Sequence, residues 1–220
     1  MSSGTPKTWK PTTFPADPEA THQLQEWLAE DGYSLFGFER DFRGADLSGG
    51  DFTQAWFTQA NLAGVRLRGA SFYRADLQSA NLTGADLTGA DLVRANLNEA
   101  VLCSARLDGA DMVKASLHDV NASRASFRRA RIMAASLFDV DMRGADLTDA
   151  VLSDNVFQVT VDDSTVVRGL TGTVFGPITV DSGDSSLELG GADLEAWINA
   201  RGGQVQVIPP RGQMRPAHLG

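Results

Sequence analysis

The sequence predicts an all-β solenoid, a rod of stacked parallel coils, and three observations carry that prediction. From Arg40 the chain reads RDFRG ADLSG GDFTQ AWFTQ ANLAG, and this five-residue register continues to NVFQV, ending at Val159. The central positions run from Phe42 to Phe157 as 24 consecutive repeats, with Leu or Phe at 20 of them and Met112, Ala122, Ile132 and Met142 at the rest. Two residues before each centre stands a small residue, Ala in 18 of the 24 repeats. A period of five matches neither the 3.6 of a helix nor the 2.0 of a strand, so one continuous amphipathic element is excluded. The residues between the apolar ones are often Gly, Asp, Asn, Ser and Thr, which favour turns. A chain that turns after every repeat and points one large and one small apolar residue inward satisfies all of this. Its coils can then pair through parallel backbone ladders.

The motif Ala-(Asp/Asn)-Leu-x-x, seen at Ala75-Asp76-Leu77, Ala80-Asn81-Leu82, Ala85-Asp86-Leu87 and Ala90-Asp91-Leu92, resembles the pentapeptide repeat family. It covers 120 of the 220 residues, 40–159, without a break. The resemblance implies a right-handed quadrilateral parallel β-helix with four repeats per coil, hence about six coils for this run. At ~4.8 Å per stacked strand such a rod is roughly 29 Å long.

On that geometry residues 20 apart stack, and the columns can be read from the sequence. Phe52, Phe72, Leu92, Met112, Ile132 and Leu152 form an internal column that is large and apolar throughout. Ala122 leaves a gap between Leu102 and Met142, which Val120 fills in part. Outside, Asp46, Arg66, Asp86, Arg106, Ser126 and Asp146 alternate in sign and predict an ion-pair ladder. Asn61, Asn81 and Asn121 predict stacked amide hydrogen bonds. Two further columns are less simple: Arg74, Arg94 and Lys114 stack like on like, as do Glu99, Asp119 and Asp139 beside them. Such rows cost stability. Either they neutralise each other across a shared edge or reach into water, or they form adjoining basic and acidic stripes on a partner-binding surface. These six residues are therefore the candidate partner-binding residues. A basic cluster, Arg124, Arg128, Arg129 and Arg131, and a glycine column, Gly49, Gly69, Gly89 and Gly109, mark other parts of the surface.

A solenoid needs its ends covered. Residues 1–16, with Pro6, Pro11 and Pro15, read as a flexible arm. Residues 17–39 read as a helical cap: Asp17-Pro18 starts a helix to about Asp31, stopped at Gly32, with Leu24, Trp27 and Leu28 on one face. After the repeats of 40–159 the register is lost at Asp162. Residues 160–210 read as a small α+β cap, with short strands in Thr165–Val180, a helix over Gly191–Ala200 and a strand at Gln204–Ile208. Residues 211–220 read as a disordered tail. By the family resemblance, Leu194, Trp197 and Ile198 on that second helix are candidate contacts of a homodimer; covering the last coil is the other reading.

The sequence offers little for catalysis, and a non-enzyme without cofactor or metal is expected. Only three lysines are present, none after a Gly-x4-Gly run, so a phosphate loop is absent. His22, His118 and His218 have no Cys or His partner at ligand spacing. Cys103 is the single cysteine, which rules out an internal disulfide. No apolar run reaches the ~18 residues of a membrane span, and the first residues lack the apolar core of a secretory signal, so a cytoplasmic protein with no membrane contact is expected.

The net charge of −9 argues against direct nucleic-acid binding. Two functions follow. The first is a non-catalytic interaction scaffold whose solenoid faces engage an unidentified protein partner. The second, implied by the family resemblance, is DNA mimicry that modulates DNA gyrase and gives quinolone-type resistance. The charge distribution weakens the second: residues 40–159 hold 13 basic and 15 acidic side chains, a net of −2. Duplex DNA of the same length carries about 17 charges at one per ~1.7 Å.

Overall fold

The computed structural model describes residues 8–30 and 34–208. Its elements are α1 (Pro18–Ala29), β1 (Ser116–His118), β2 (Arg131–Met133), β3 (Ser136–Asp141), β4 (Val151–Asp162), β5 (Thr171–Phe175), β6 (Ile178–Asp181), β7 (Ser186–Leu189), α2 (Gly191–Asn199) and β8 (Gln204–Val207). The fold is a β-solenoid with a parallel sheet. Between Phe36 and Val166 the coils meet through bridges whose partners lie 20 residues apart, such as Asp41 with Asn61, Asp46 with Arg66, Asp51 with Ser71 and Trp56 with Asp76. These four ladders give the rod four faces. Toward its C-terminal end the bridges lengthen into strands, and β1, β3, β4, β5 and β8 lie side by side in the sheet.

One repeat shows why the motif has its form. The centre and the residue two before it point inward: Leu77 and Ala75 are both buried, as are their equivalents along the rod. The chain then turns, with Ala80 N–H donating to the Leu77 carbonyl at 3.0 Å. The residue before that donor takes a positive φ, as the third position of a type II turn requires. The Asp or Asn between the inward pair accepts from the N–H two residues on: Asp76 from Gln78 at 3.0 Å and Asn81 from Thr83 at 3.1 Å. This satisfies a corner amide that no ladder reaches. The expected amide stack of Asn61, Asn81 and Asn121 is thus replaced by local caps, each side chain accepting from its own corner.

The ends are packed. Asp17 caps α1 by accepting from Ala20 N–H at 2.7 Å, and Pro18 opens the helix. Leu24, Trp27 and Leu28 are buried, and Trp27 stacks on Phe52 with centroids 5.6 Å apart. Residues 8–16 of the expected arm lie along the first coil: Trp9 meets Phe52 edge-on at 5.6 Å and donates to Ser48 O at 2.9 Å, while Thr13 bridges Asp46. Residues 1–7 of that arm and the 211–220 tail fall outside the described residues.

The stacking outlasts the motif. The sequence loses its register at Asp162, yet Val166 still bridges Asp146 and Thr171 pairs with Val151. Val167 and Leu170 are buried at inward positions, while Thr165 stands where Ala is usual and Gly172 where a large residue is usual. Backbone ladders tolerate such exchanges, so the motif fades before the coil does. The end is closed by β8 pairing with β5, by the β6–β7 hairpin, and by α2, whose Leu194 and Ile198 are buried.

Candidate functional site

The rod surface is best described by face. Three faces carry the outward columns that begin at Asp41, Asp46 and Asp51. The fourth carries Phe36, Trp56, Asp76, Asn96, Ser116, Ser136 and Val156 along its centre, each bridged to the residue 20 before or after it or paired with it in a strand. A second outward column, from Phe38 through Gln78, Asn98 and His118 to Phe138, runs along one edge of this fourth face.

Each of the first three faces carries at least one ion pair. On the first, Arg43 holds Asp41 and Arg143 holds Asp141 through paired guanidinium hydrogen bonds of 2.6–3.0 Å. Arg143 also reaches Asp181 at 3.1 Å. These donors, opposed by burial, hold both Asp41 and Asp141 below the ordinary carboxylate range. On the second, Arg66 meets Asp46 at 2.9 Å, Arg106 and Arg68 approach Asp86, and Arg128 meets Asp146 at 2.7 Å. The expected ladder along this column is therefore partly replaced by side chains from the adjoining corner, because Arg68 and Arg128 lean back across it. On the third, Arg131 meets Asp111 at 2.7 Å.

The fourth face is different. Its two corners are the sequence-predicted stripes: Arg74, Arg94 and Lys114 on one side, Glu99, Asp119 and Asp139 on the other. All six sit in left-handed corner conformations, with φ between 54° and 61°, and all six are exposed. Among the described residues, no ion pair joins the stripes or involves any residue of this face. Arg74 lies over the Tyr73 ring, 5.4 Å from its centroid, and Glu99 accepts from Ser79 at 2.7 Å. Mutual neutralisation is not seen, because the width of the face separates the stripes; their exposure to water is the other half of that same reading.

Toward the ends of the same face lies a feature that the repeat pattern did not flag. Phe36, Phe38 and Trp56 are about half exposed (50%, 48% and 55%), and the Phe36 and Trp56 rings touch with centroids 5.5 Å apart. Phe138 and Val156 are exposed at the other end of the same face. Five of the eight exposed large hydrophobic residues among those described thus share one face. For Phe36, Trp56 and Val156 the signal in the sequence was an apolar residue just before the repeat centre, where most repeats place Asp, Asn or Ser.

The remaining candidates are placed as follows. Leu194 and Ile198 are buried inside this chain, and Trp197 is half-buried with Arg201 over its ring at 4.1 Å. The glycine column Gly49, Gly69, Gly89 and Gly109 consists of corners with φ between 62° and 70°, so turn geometry accounts for it. Arg128, Arg129 and Arg168 line a groove with Asp108 and Asp149. Cys103 is half-buried and accepts from Ser123 Oγ at 3.5 Å; His118 Nε2 and Ser136 Oγ are 2.8 Å apart. Among the described residues, no group of three or more His, Cys, Asp or Glu is placed to hold a metal, and no helix is long and apolar enough to cross a membrane.

The family model for pentapeptide repeats matches the chain at residues 41–78, 51–89, 80–119, 95–132 and 115–154. Among solved structures, the chain is similar to HetL, a pentapeptide repeat protein involved in heterocyst differentiation regulation from the cyanobacterium Nostoc sp. strain PCC 7120. The two are 30% identical with a TM-score of 0.60, over 63% of this chain and 62% of HetL, so the match spans less than two thirds of that protein. Rfr23 of the cyanobacterium Cyanothece 51142 is 23% identical over 59% of this chain and 92% of its own, with a TM-score of 0.48. QnrB1, a plasmid-mediated fluoroquinolone resistance protein, is 19% identical over 73% and 80%, with a TM-score of 0.30. No curated protein matches.

Proposed function

The chain belongs to the pentapeptide repeat family, and on that footing we propose that it is a non-catalytic, cytoplasmic interaction scaffold that binds a protein partner through the faces of a right-handed, four-sided rod. One observation supports this above the rest. The fourth face alone lacks any ion pair among the described residues, yet it carries two opposite charged stripes and most of the exposed large hydrophobic residues. Charged groups without an ion-pair partner, together with apolar residues exposed on the same face, match the mixed polar and apolar make-up of protein interfaces. The rod's charge balance, 13 basic against 15 acidic residues in 40–159, favours a protein partner over imitation of duplex DNA.

The test is chemical cross-linking and capture from the native cell with two variants. Arg74→Glu/Arg94→Glu/Lys114→Glu on the fourth face should lose the captured partner. Reversal of the paired Arg66 and Asp46 on the second face should keep it. Retention by the first variant would overturn this reading of the fourth face. Inhibition of gyrase supercoiling by the purified protein would support the mimicry alternative.

A further inference from the structure

We propose that the fourth face takes a second copy of this chain, face to face, about a two-fold axis parallel to the rod. This rests on the scaffold reading and names the occupant of its unpaired face. The argument comes from the layout of the two stripes. Arg74, Arg94 and Lys114 form one corner of the face, and Glu99, Asp119 and Asp139 form the other. Arg94 and Glu99 are five residues apart on one coil, as are Lys114 and Asp119, so each pair lies at nearly the same height on opposite edges.

Closed two-fold dimers bury the same patch on both subunits, so the patch must complement itself. Face-to-face contact permits two orientations of the axis within the interface. An axis along the rod exchanges the left and right edges and keeps heights unchanged. Arg94 then stands opposite Glu99 of the second copy and Lys114 opposite its Asp119, each pair occurring twice. The same operation brings Phe36, Phe38 and Trp56 against their own counterparts, and likewise Phe138 and Val156, covering the five exposed apolar residues together. An axis across the rod sets basic edge on basic edge and acidic edge on acidic edge, while it lays Phe36, Phe38 and Trp56 over Phe138 and Val156. Like-charge juxtaposition penalises that arrangement. The charge pattern therefore selects the parallel dimer, and the apolar ends are covered in it as well. The surface is distinct from α2, whose Leu194 and Ile198 are already buried within the chain.

The experiment is sedimentation velocity of the full chain over a range of concentrations, with two double reversals. Arg94→Glu/Lys114→Glu makes both edges acidic, and Glu99→Lys/Asp119→Lys makes both basic. The wild type should dimerise. Each variant alone should dimerise more weakly by about tenfold or more, given four exposed pairs turned repulsive. Mixed one to one, the two variants should recover a dimer containing one of each, which a misfolded variant cannot do. A wild type that stays monomeric throughout would overturn the proposal, as would variants that self-associate like the wild type. A monomer that still captures a protein from the cell through the fourth face would refute the dimer and leave the scaffold reading standing.

Discussion

Replacing Asn155 with alanine should destabilise the protein, although alanine stands at the equivalent position in 18 of the 24 repeats. The consensus of the repeats argues for the substitution; the local hydrogen bonding argues against it. Asn155 is fully buried. Its Oδ1 accepts from Ala135 N–H at 2.8 Å and its Nδ2 donates to the Ile132 carbonyl at 2.6 Å. The β4–β5 register shifts between Leu152 and Asn155, and Asn155 lies at that irregularity. Asn155→Ala leaves one buried donor and one buried acceptor without partners, each costing about 1–3 kcal/mol, so the total is about 2–6 kcal/mol. With a urea slope of ~2 kcal/mol/M, the unfolding midpoint should fall by about 1–3 M. Far-UV circular dichroism in urea measures this, and hydrogen exchange at the Ala135 amide reports the broken bond directly. A midpoint equal to or above that of the wild type, with Ala135 still protected, would refute the reasoning.

Two glycines should separate backbone conformation from contact. Gly89 has φ of 68° and open space where a Cβ would go, so Gly89→Ala should cost only about 1 kcal/mol. Gly172 has φ of 119°, and a Cβ there would lie 1.4 Å from the Leu152 carbonyl oxygen, so Gly172→Ala should cost several times more; thermal unfolding compares the pair. Stability should also fall in acid. Arg43 and Arg143 lower the pKa of Asp41 and Asp141 in the folded chain, so these carboxyls bind fewer protons folded than unfolded near pH 4. Their contribution is complete above about pH 5 and declines as pH falls through about 4 and below. Asp41→Asn/Asp141→Asn should flatten that acid limb in urea midpoints taken from pH 7 to 3, and an unchanged limb would refute the assignment. Trp27→Ala should cost about 3–5 kcal/mol, because it uncovers Phe52 at the end of the core; calorimetry checks this.

Much of the local structure was legible from residue types because each choice answers a local demand. Phe42 to Phe157 and the alanines before them announce the inward pair, and Asp17-Pro18 announces the start of α1. The buried face Leu24, Trp27 and Leu28 could be read from helical spacing alone. The Asp and Asn of the motif were legible as turn residues, yet Asn61, Asn81 and Asn121 accept from the corner amide two residues on, and the stacked amide contact occurs instead where Asn96 donates to Asp76. The extent of the rod was less legible, since Thr165 and Gly172 break the motif while the backbone ladder continues. The candidate site was half legible. Arg74, Arg94 and Lys114, and Glu99, Asp119 and Asp139, stand out as like-charge columns, whereas Phe36, Phe38, Trp56, Phe138 and Val156 do not stand out without their coil positions.

The sequence by itself determined the five-residue repeat, the identity of the core and the two charged stripes, because each depends on side-chain type at a fixed spacing. It also determined that the rod is nearly neutral, with most of the net charge in the flanking segments. Only the tertiary structure decided which charges find partners. Arg66 reaches Asp46 on the next coil, while Arg94 and Glu99 on one coil stand on opposite corners with a face between them. An ion pair needs two heads within hydrogen-bonding reach, and spacing along the chain cannot report a separation that the turning of the coil creates.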